Sequence, residues 1–97
     1  MTDQSQSSEV HHKSAICRFE LALDGKIAVL EYLLKGDTML IIHTEVPPEL
    51  EGRGIGSQLA RAGLDYAREK MFKVVPVCWF VAGYIDRHAD YQDLLQS

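Results

Sequence analysis

Glycines stand at every second position, Gly52, Gly54 and Gly56, in the stretch EVPPELEGRGIGSQLA that runs from Glu45 to Ala60. A double proline precedes them and a helix-like run follows. Glycines so placed let backbone N–H groups come close to an anion. A strand, a glycine loop and a helix is the layout that binds phosphate at a helix N-terminus, where the first N–H groups lack partners and the dipole favours negative charge. Two forms of this site are excluded by spacing. A triphosphate-binding loop needs Lys and then Ser or Thr after its last glycine, whereas Gly56 is followed by Ser57 and Gln58. A dinucleotide fingerprint needs G-x-G-x-x-G/A; counted from Gly52 its last position is Ser57, and from Gly54 it is Leu59. Arg53, inside the loop, is the side chain placed to bring positive charge to a diphosphate.

Other reactive side chains are sparse. His11 and His12 are adjacent but have no third ligand nearby, so no metal site is expected. Cys17 and Cys78 lack metal-type spacing, and free thiols in a cytoplasmic protein are the simplest expectation. The 97 residues suit one domain, and 46% hydrophobic with 25% charged residues is the balance of a soluble globular chain. A net charge of −4 speaks against a general nucleic-acid binder. No stretch is apolar enough for a bilayer, and no secretory signal is visible at the N-terminus.

The elements that must position the loop follow from periodicity. Residues 1–14 are polar and are expected to be mobile, with a single compact domain over 15–97. From Ala15 the pattern alternates, AICRFELAL, with Asp24-Gly25 as a two-residue hairpin turn. The strand KIAVLEYLL returns from Lys26 to Leu34. After Lys35-Gly36-Asp37, TMLIIHTEV forms a buried strand ending at Val46. These three strands make an antiparallel meander, stopped by Pro47 and Pro48. Ile55, Leu59, Ala62, Gly63, Tyr66 and Ala67 form one stripe of a helix over 54–70. Lys73 to Cys78 reads as a short strand, parallel to the one ending at Val46 because a helix connects them. Pro76 within it marks an edge or a split in the sheet. FVAGYIDRH reads as a second short helix, and the tail ADYQDLLQS has no clear form.

One further phosphate pattern, Gln/Arg-x-x-Gly-x-Gly/Ala, fits Gly54 and Gly56 and departs at Glu51, where Gln or Arg is usual. With HTEVPP before the loop and PVCWFV…YI…H…Y after it, the chain from about Ile16 to Leu95 resembles the small single-domain GCN5-related N-acetyltransferases, the compact YjdJ-like group. The resemblance implies a mixed α/β (α+β), mostly antiparallel sheet, with one helix after the glycine-rich loop and a second short helix. It implies acetyl-CoA as cofactor, its diphosphate on the loop from Glu51 through Gly52, Arg53, Gly54, Ile55 and Gly56 to Ser57. The pantetheine arm would lie between strands that splay apart, beside Val46 on one side and Val77 and Cys78 on the other. Glu51 puts a side-chain contact at its own position in question but leaves the backbone donors in place.

The same resemblance implies acyl transfer from a thioester to an amine, which needs a base for the amine, a donor for the oxyanion and an acid for the departing sulfur. Tyr84 is the positional match for the acid and is otherwise a packing residue. Cys78 is nucleophile, acid or a small buried group. His43 and Glu45, two apart on one strand face, are candidates for the base, with a satisfied strand histidine as the plainer role for His43. Trp79 and Phe80 either wall the acceptor pocket or complete the core. The direct Asp24-Gly25 turn leaves the acceptor side shallow and open, so a peptide or protein amine, a polyamine or an amino sugar all remain. A coenzyme A-binding module without turnover and a plain interaction domain are the competing classes. The expected assembly is a monomer or weak dimer, with no nucleic-acid or membrane partner.

Overall fold

The computed structural model describes residues 9–95. Five strands form one sheet in chain order: β1 (Val10–Lys13), β2 (Arg18–Leu23), β3 (Lys26–Lys35), β4 (Thr38–Glu45) and β5 (Lys73–Pro76). The first four pair antiparallel, and β5 runs parallel to β4, as the helical crossover between them requires. That crossover is α1 (Ile55–Lys70), and α2 (Trp79–Asp86) follows β5. The Asp24-Gly25 turn has both residues at positive φ, 54° and 75°, the geometry of a two-residue hairpin turn.

The meander has four strands where the sequence suggested three. Part of the expected mobile segment, 1–8, lies outside the described residues; the rest is corrected by Val10–Lys13, which pairs with β2 in the register Val10↔Leu21 to Lys13↔Arg18. No apolar run announces this strand, because its anchor is aromatic and distant. The His12 ring stacks on Phe19, 4.0 Å between centroids, meets Tyr66 of α1 edge-on at 4.4 Å, and shares a hydrogen bond with the Tyr32 hydroxyl. Burial pushes the His12 imidazole below its ordinary value.

One face of the sheet carries the core. Phe19, Leu21, Leu30, Tyr32, Met39 and Ile41 meet Leu59, Leu64 and Ala67 of α1. Gly63 sits where a Cβ would be 3.5 Å from Leu30, so the helix lies close to the strands. The tail without a clear sequence form is a 3₁₀ segment, Ala89–Leu94, which docks on α1: the Tyr91 hydroxyl donates to Asp65 at 2.7 Å, and Arg68 pairs with Asp93 at 2.9 Å. On the opposite face Ile27 and Leu33 are exposed.

Two irregularities shape the end of the sheet. Glu31 pairs with His43 while Tyr32 pairs with Ile41, so Ile42 is an extra residue in β4, a β-bulge. β5 also ends earlier than expected, at Pro76 rather than Cys78. Pro76 has no N–H to give, the Val77 N–H turns back to Val75 O at 3.0 Å, and the Cys78 N–H makes the last tie to β4, at Ile41 O, 2.9 Å. Beyond Ile41, β4 runs on to Glu45 paired with β3, and the chain of β5 leaves it.

Candidate active-site cleft

A cleft of about 390 Å³ opens where β4 and β5 separate. Its floor and one end are the glycine loop and the first turn of α1. Pro47–Pro48 lead into a 3₁₀ turn, Pro48–Leu50, whose Leu50 is buried and lines the cleft. Gly52 and Gly54 have φ of 81° and 75°, a left-handed backbone that side chains rarely adopt, and a Cβ on either would meet nothing within 4 Å. Gly54 is the N-cap of α1, no side chain caps it, and the first helical bond runs from Gln58 N–H to Gly54 O. The N–H groups of Ile55, Gly56 and Ser57 therefore have no intrahelical acceptor, and all three residues line the cleft. Gly56 is glycine for a different reason: its Cβ would stand 2.8 Å from Phe80 Cζ. The ring of Phe80 closes the cleft over the start of α1.

At the other end lie Thr44, Cys78 and Trp79. Cys78 is the N-cap residue of α2, and its thiol donates to Thr44 Oγ1 at 3.5 Å. Burial pushes the Cys78 thiol up, but the Thr44 hydroxyl and the N–H groups of Val81, Phe80 and Thr44 outweigh it, so the thiol lies below its ordinary value. Thr44 is the residue that sequence periodicity misses. In a regular strand it would share a face with Ile42, away from the core. The bulge shifts the register, so Thr44 pairs with buried Leu30 and turns toward α1.

The same bulge sends His43 and Glu45 the other way. They pair with Glu31 and Val29, are exposed, and contact each other at 3.3 Å, outside the cleft. Tyr84 is not brought to the cleft either: it is 3% exposed, with its ring stacked on His88 at 3.9 Å. Val46, Glu51, Gly52, Gly54, Ile55, Gly56, Ser57 and Cys78 do line it, whereas Val77 points to solvent. Arg53 is likewise absent from the lining, since its guanidinium pairs with Asp24 at 3.0 Å. Trp79 lines the cleft yet is 83% exposed, so it does not complete the core; Phe80 does pack against it. Cys17 is half-buried and packs against the core. Among the described residues no cluster of ligands could hold a metal, and no helix is long and apolar enough to cross a membrane.

Residues 18–94 match the profile of a family described as GCN5-related N-acetyl-transferase, and the chain belongs to that family. Among its relatives is Protein NATD1 of Xenopus tropicalis, 34% identical over 87 residues that cover 86% of this chain and 79% of the relative. Protein NATD1 of Homo sapiens is 35% identical over 86 residues, covering 86% of this chain and 76% of its own. The NMR solution structure of a GCN5-like protein from Staphylococcus aureus superposes with a TM-score of 0.75 at 27% identity, over 97% of this chain and 92% of that one. The mixed, mostly antiparallel sheet with its two helices is thus the fold of this family.

Proposed function

We propose that the protein is an acetyl-CoA-dependent N-acetyltransferase, and that the cleft between β4 and β5 holds the cofactor. The observation that carries this is the union, in one cleft, of uncapped N–H donors at α1 with the point where the two parallel strands part. The residues suit the ligand. Space beside Gly52 and Gly54 is open, and the N–H groups of Ile55, Gly56 and Ser57 are free to bind a diphosphate. Val46, Leu50 and Phe80 offer apolar walls to the arm. Glu51 opposes an anion, so the main chain carries the binding there.

Bound in this cleft, acetyl-CoA supplies an activated thioester. Cys78 holds a proton at Sγ, and a thiol lowered by Thr44 and the α2 N-terminus is suited to hand it to the departing sulfur. The acceptor would attack as its free amine; as its C–N bond to the acetyl carbon replaces the C–S bond, the proton then shed by the newly bonded nitrogen would restore the Cys78 thiol through water. Tyr84, His43 and Glu45 have no part in this scheme. The acceptor is an amine that enters past exposed Trp79.

Calorimetric titration with acetyl-CoA, followed by a thiol-release assay against a panel of peptide amines, polyamines and amino sugars, tests the function. Binding and turnover are expected, and Cys78→Ala should bind as wild type does while turnover falls on the order of a hundredfold. Binding without turnover on any amine would make the protein an acyl-CoA-binding module. Mass spectrometry after brief mixing with acetyl-CoA should find no acetyl group on Cys78; an acetylated Cys78 would make it a nucleophile instead.

A further inference from the structure

We infer that Asp24 holds Arg53 off the cleft in the free protein, and that the Arg53 guanidinium changes partner, from the Asp24 carboxylate to the ligand diphosphate, when coenzyme A binds. This rests on the coenzyme A reading of the cleft. The charge inventory motivates it. Among the described residues that line the cleft, Glu51 is the one ionised side chain, and it has the sign of the ligand. A diphosphate brought there meets N–H dipoles but no cation. The loop does contain a cation, Arg53, and it is engaged 3.0 Å from Asp24 Oδ2 in the β2–β3 turn.

The pair is built to exchange. Both side chains are exposed, 46% for Arg53 and 63% for Asp24, so the ion pair is weak and screened. Arg53 stands between Gly52 and Gly54, two left-handed glycines whose backbone can turn at low cost. The hairpin is held by its own strand pairing, Arg18↔Glu31 to Leu23↔Lys26, so the turn stays in place when Arg53 leaves. A diphosphate offers more negative charge and more acceptor oxygens than one carboxylate, and a guanidinium suits its geometry. Asp24 therefore competes with the ligand for Arg53, and its presence lowers affinity.

Asp24→Asn removes the charge and keeps the turn, because asparagine tolerates the left-handed φ of 54° found there. Titration calorimetry with coenzyme A at low ionic strength should show Asp24→Asn binding about two- to fivefold more tightly than wild type, the range of an exposed ion pair. Arg53→Gln should bind more weakly, and Asp24→Asn added to Arg53→Gln should then change little. The gain should persist with dephospho-coenzyme A, which keeps the diphosphate. Equal or weaker binding by Asp24→Asn, or an undiminished gain without Arg53, overturns the exchange. A gain that disappears with dephospho-coenzyme A overturns the diphosphate as the new partner. If wild type and every variant fail to bind coenzyme A, the assignment of the cleft falls first, and that outcome is distinct from all the others.

Discussion

The three glycines of the loop look equivalent in the sequence and are not equivalent in the fold. Gly54 is required by its backbone, at φ 75°, while Gly56 is required by a neighbour, the Phe80 ring. Different substitutions should separate the two. Gly54→Ala is expected to lose about 1–2 kcal/mol of stability from the left-handed strain, and Gly54→Asn less, since asparagine adopts that conformation. Gly56→Ala should cost about 1–3 kcal/mol through overpacking, and combining it with Phe80→Leu should recover part of the loss. Urea unfolding of the single and double variants checks both. At Cys78 the decisive contact is Thr44. Thr44→Val removes the hydroxyl that accepts from the thiol and turns to donate to the thiolate, so the pH profile of Cys78 alkylation by iodoacetamide should move to higher pH. An unmoved profile would show that the α2 N–H groups alone hold the thiol down.

At the scale of elements, β1 depends on one imidazole. His12 is held neutral by burial, and it links β1 to Phe19, Tyr32 and Tyr66. Its folded value lies below the ordinary 6.5, so between the two values the unfolded chain binds more protons than the native one. The contribution is therefore complete above about pH 6.5 and declines as pH falls through that value. Wild type should lose more stability than His12→Gln between pH 7.5 and pH 5.5 (both values set by the roughly 6.5 ordinary value), a comparison in which the other three histidines cancel. Equal losses would remove His12 as the sensor. The 3₁₀ tail is fastened by a simpler contact. Tyr91→Phe deletes the 2.7 Å bond to Asp65 and should cost about 0.5–1.5 kcal/mol, read by thermal unfolding.

Across the whole molecule the cleft joins parts that are far apart in the chain: β4, the glycine loop with α1, and the start of α2. A ligand seated there braces all three, so it should stabilise the native state by linkage. At a hundredfold excess over Kd the gain is about 2.7 kcal/mol, and coenzyme A should raise the unfolding midpoint of wild type but not of Gly54→Val. A midpoint insensitive to coenzyme A would mean that the native protein does not bind it, and an equal rise in Gly54→Val would place the ligand elsewhere.

What the sequence by itself determined is local or periodic. The Asp24-Gly25 turn, the apolar run of β4, the single apolar stripe of α1 and the glycine loop at its start all follow from residue type and spacing, and the parallel pairing of β5 follows from the crossover. Pro76 announced the split in the sheet, though the strand ended there rather than at Cys78. Tertiary structure decided the rest. One bulged residue at Ile42 reversed the faces of the last turn of β4, so Thr44 entered the cleft and His43 with Glu45 left it, a change that no period-2 count can contain. Burial against His88 took Tyr84 into the core, and a carboxylate 29 residues away took Arg53 off the loop. β1 was hidden for the same reason: its stability comes from aromatic rings on β2, β3 and α1. Side-chain partners drawn from distant elements leave no periodic trace, and they are what determines which of the plausible residues share a site.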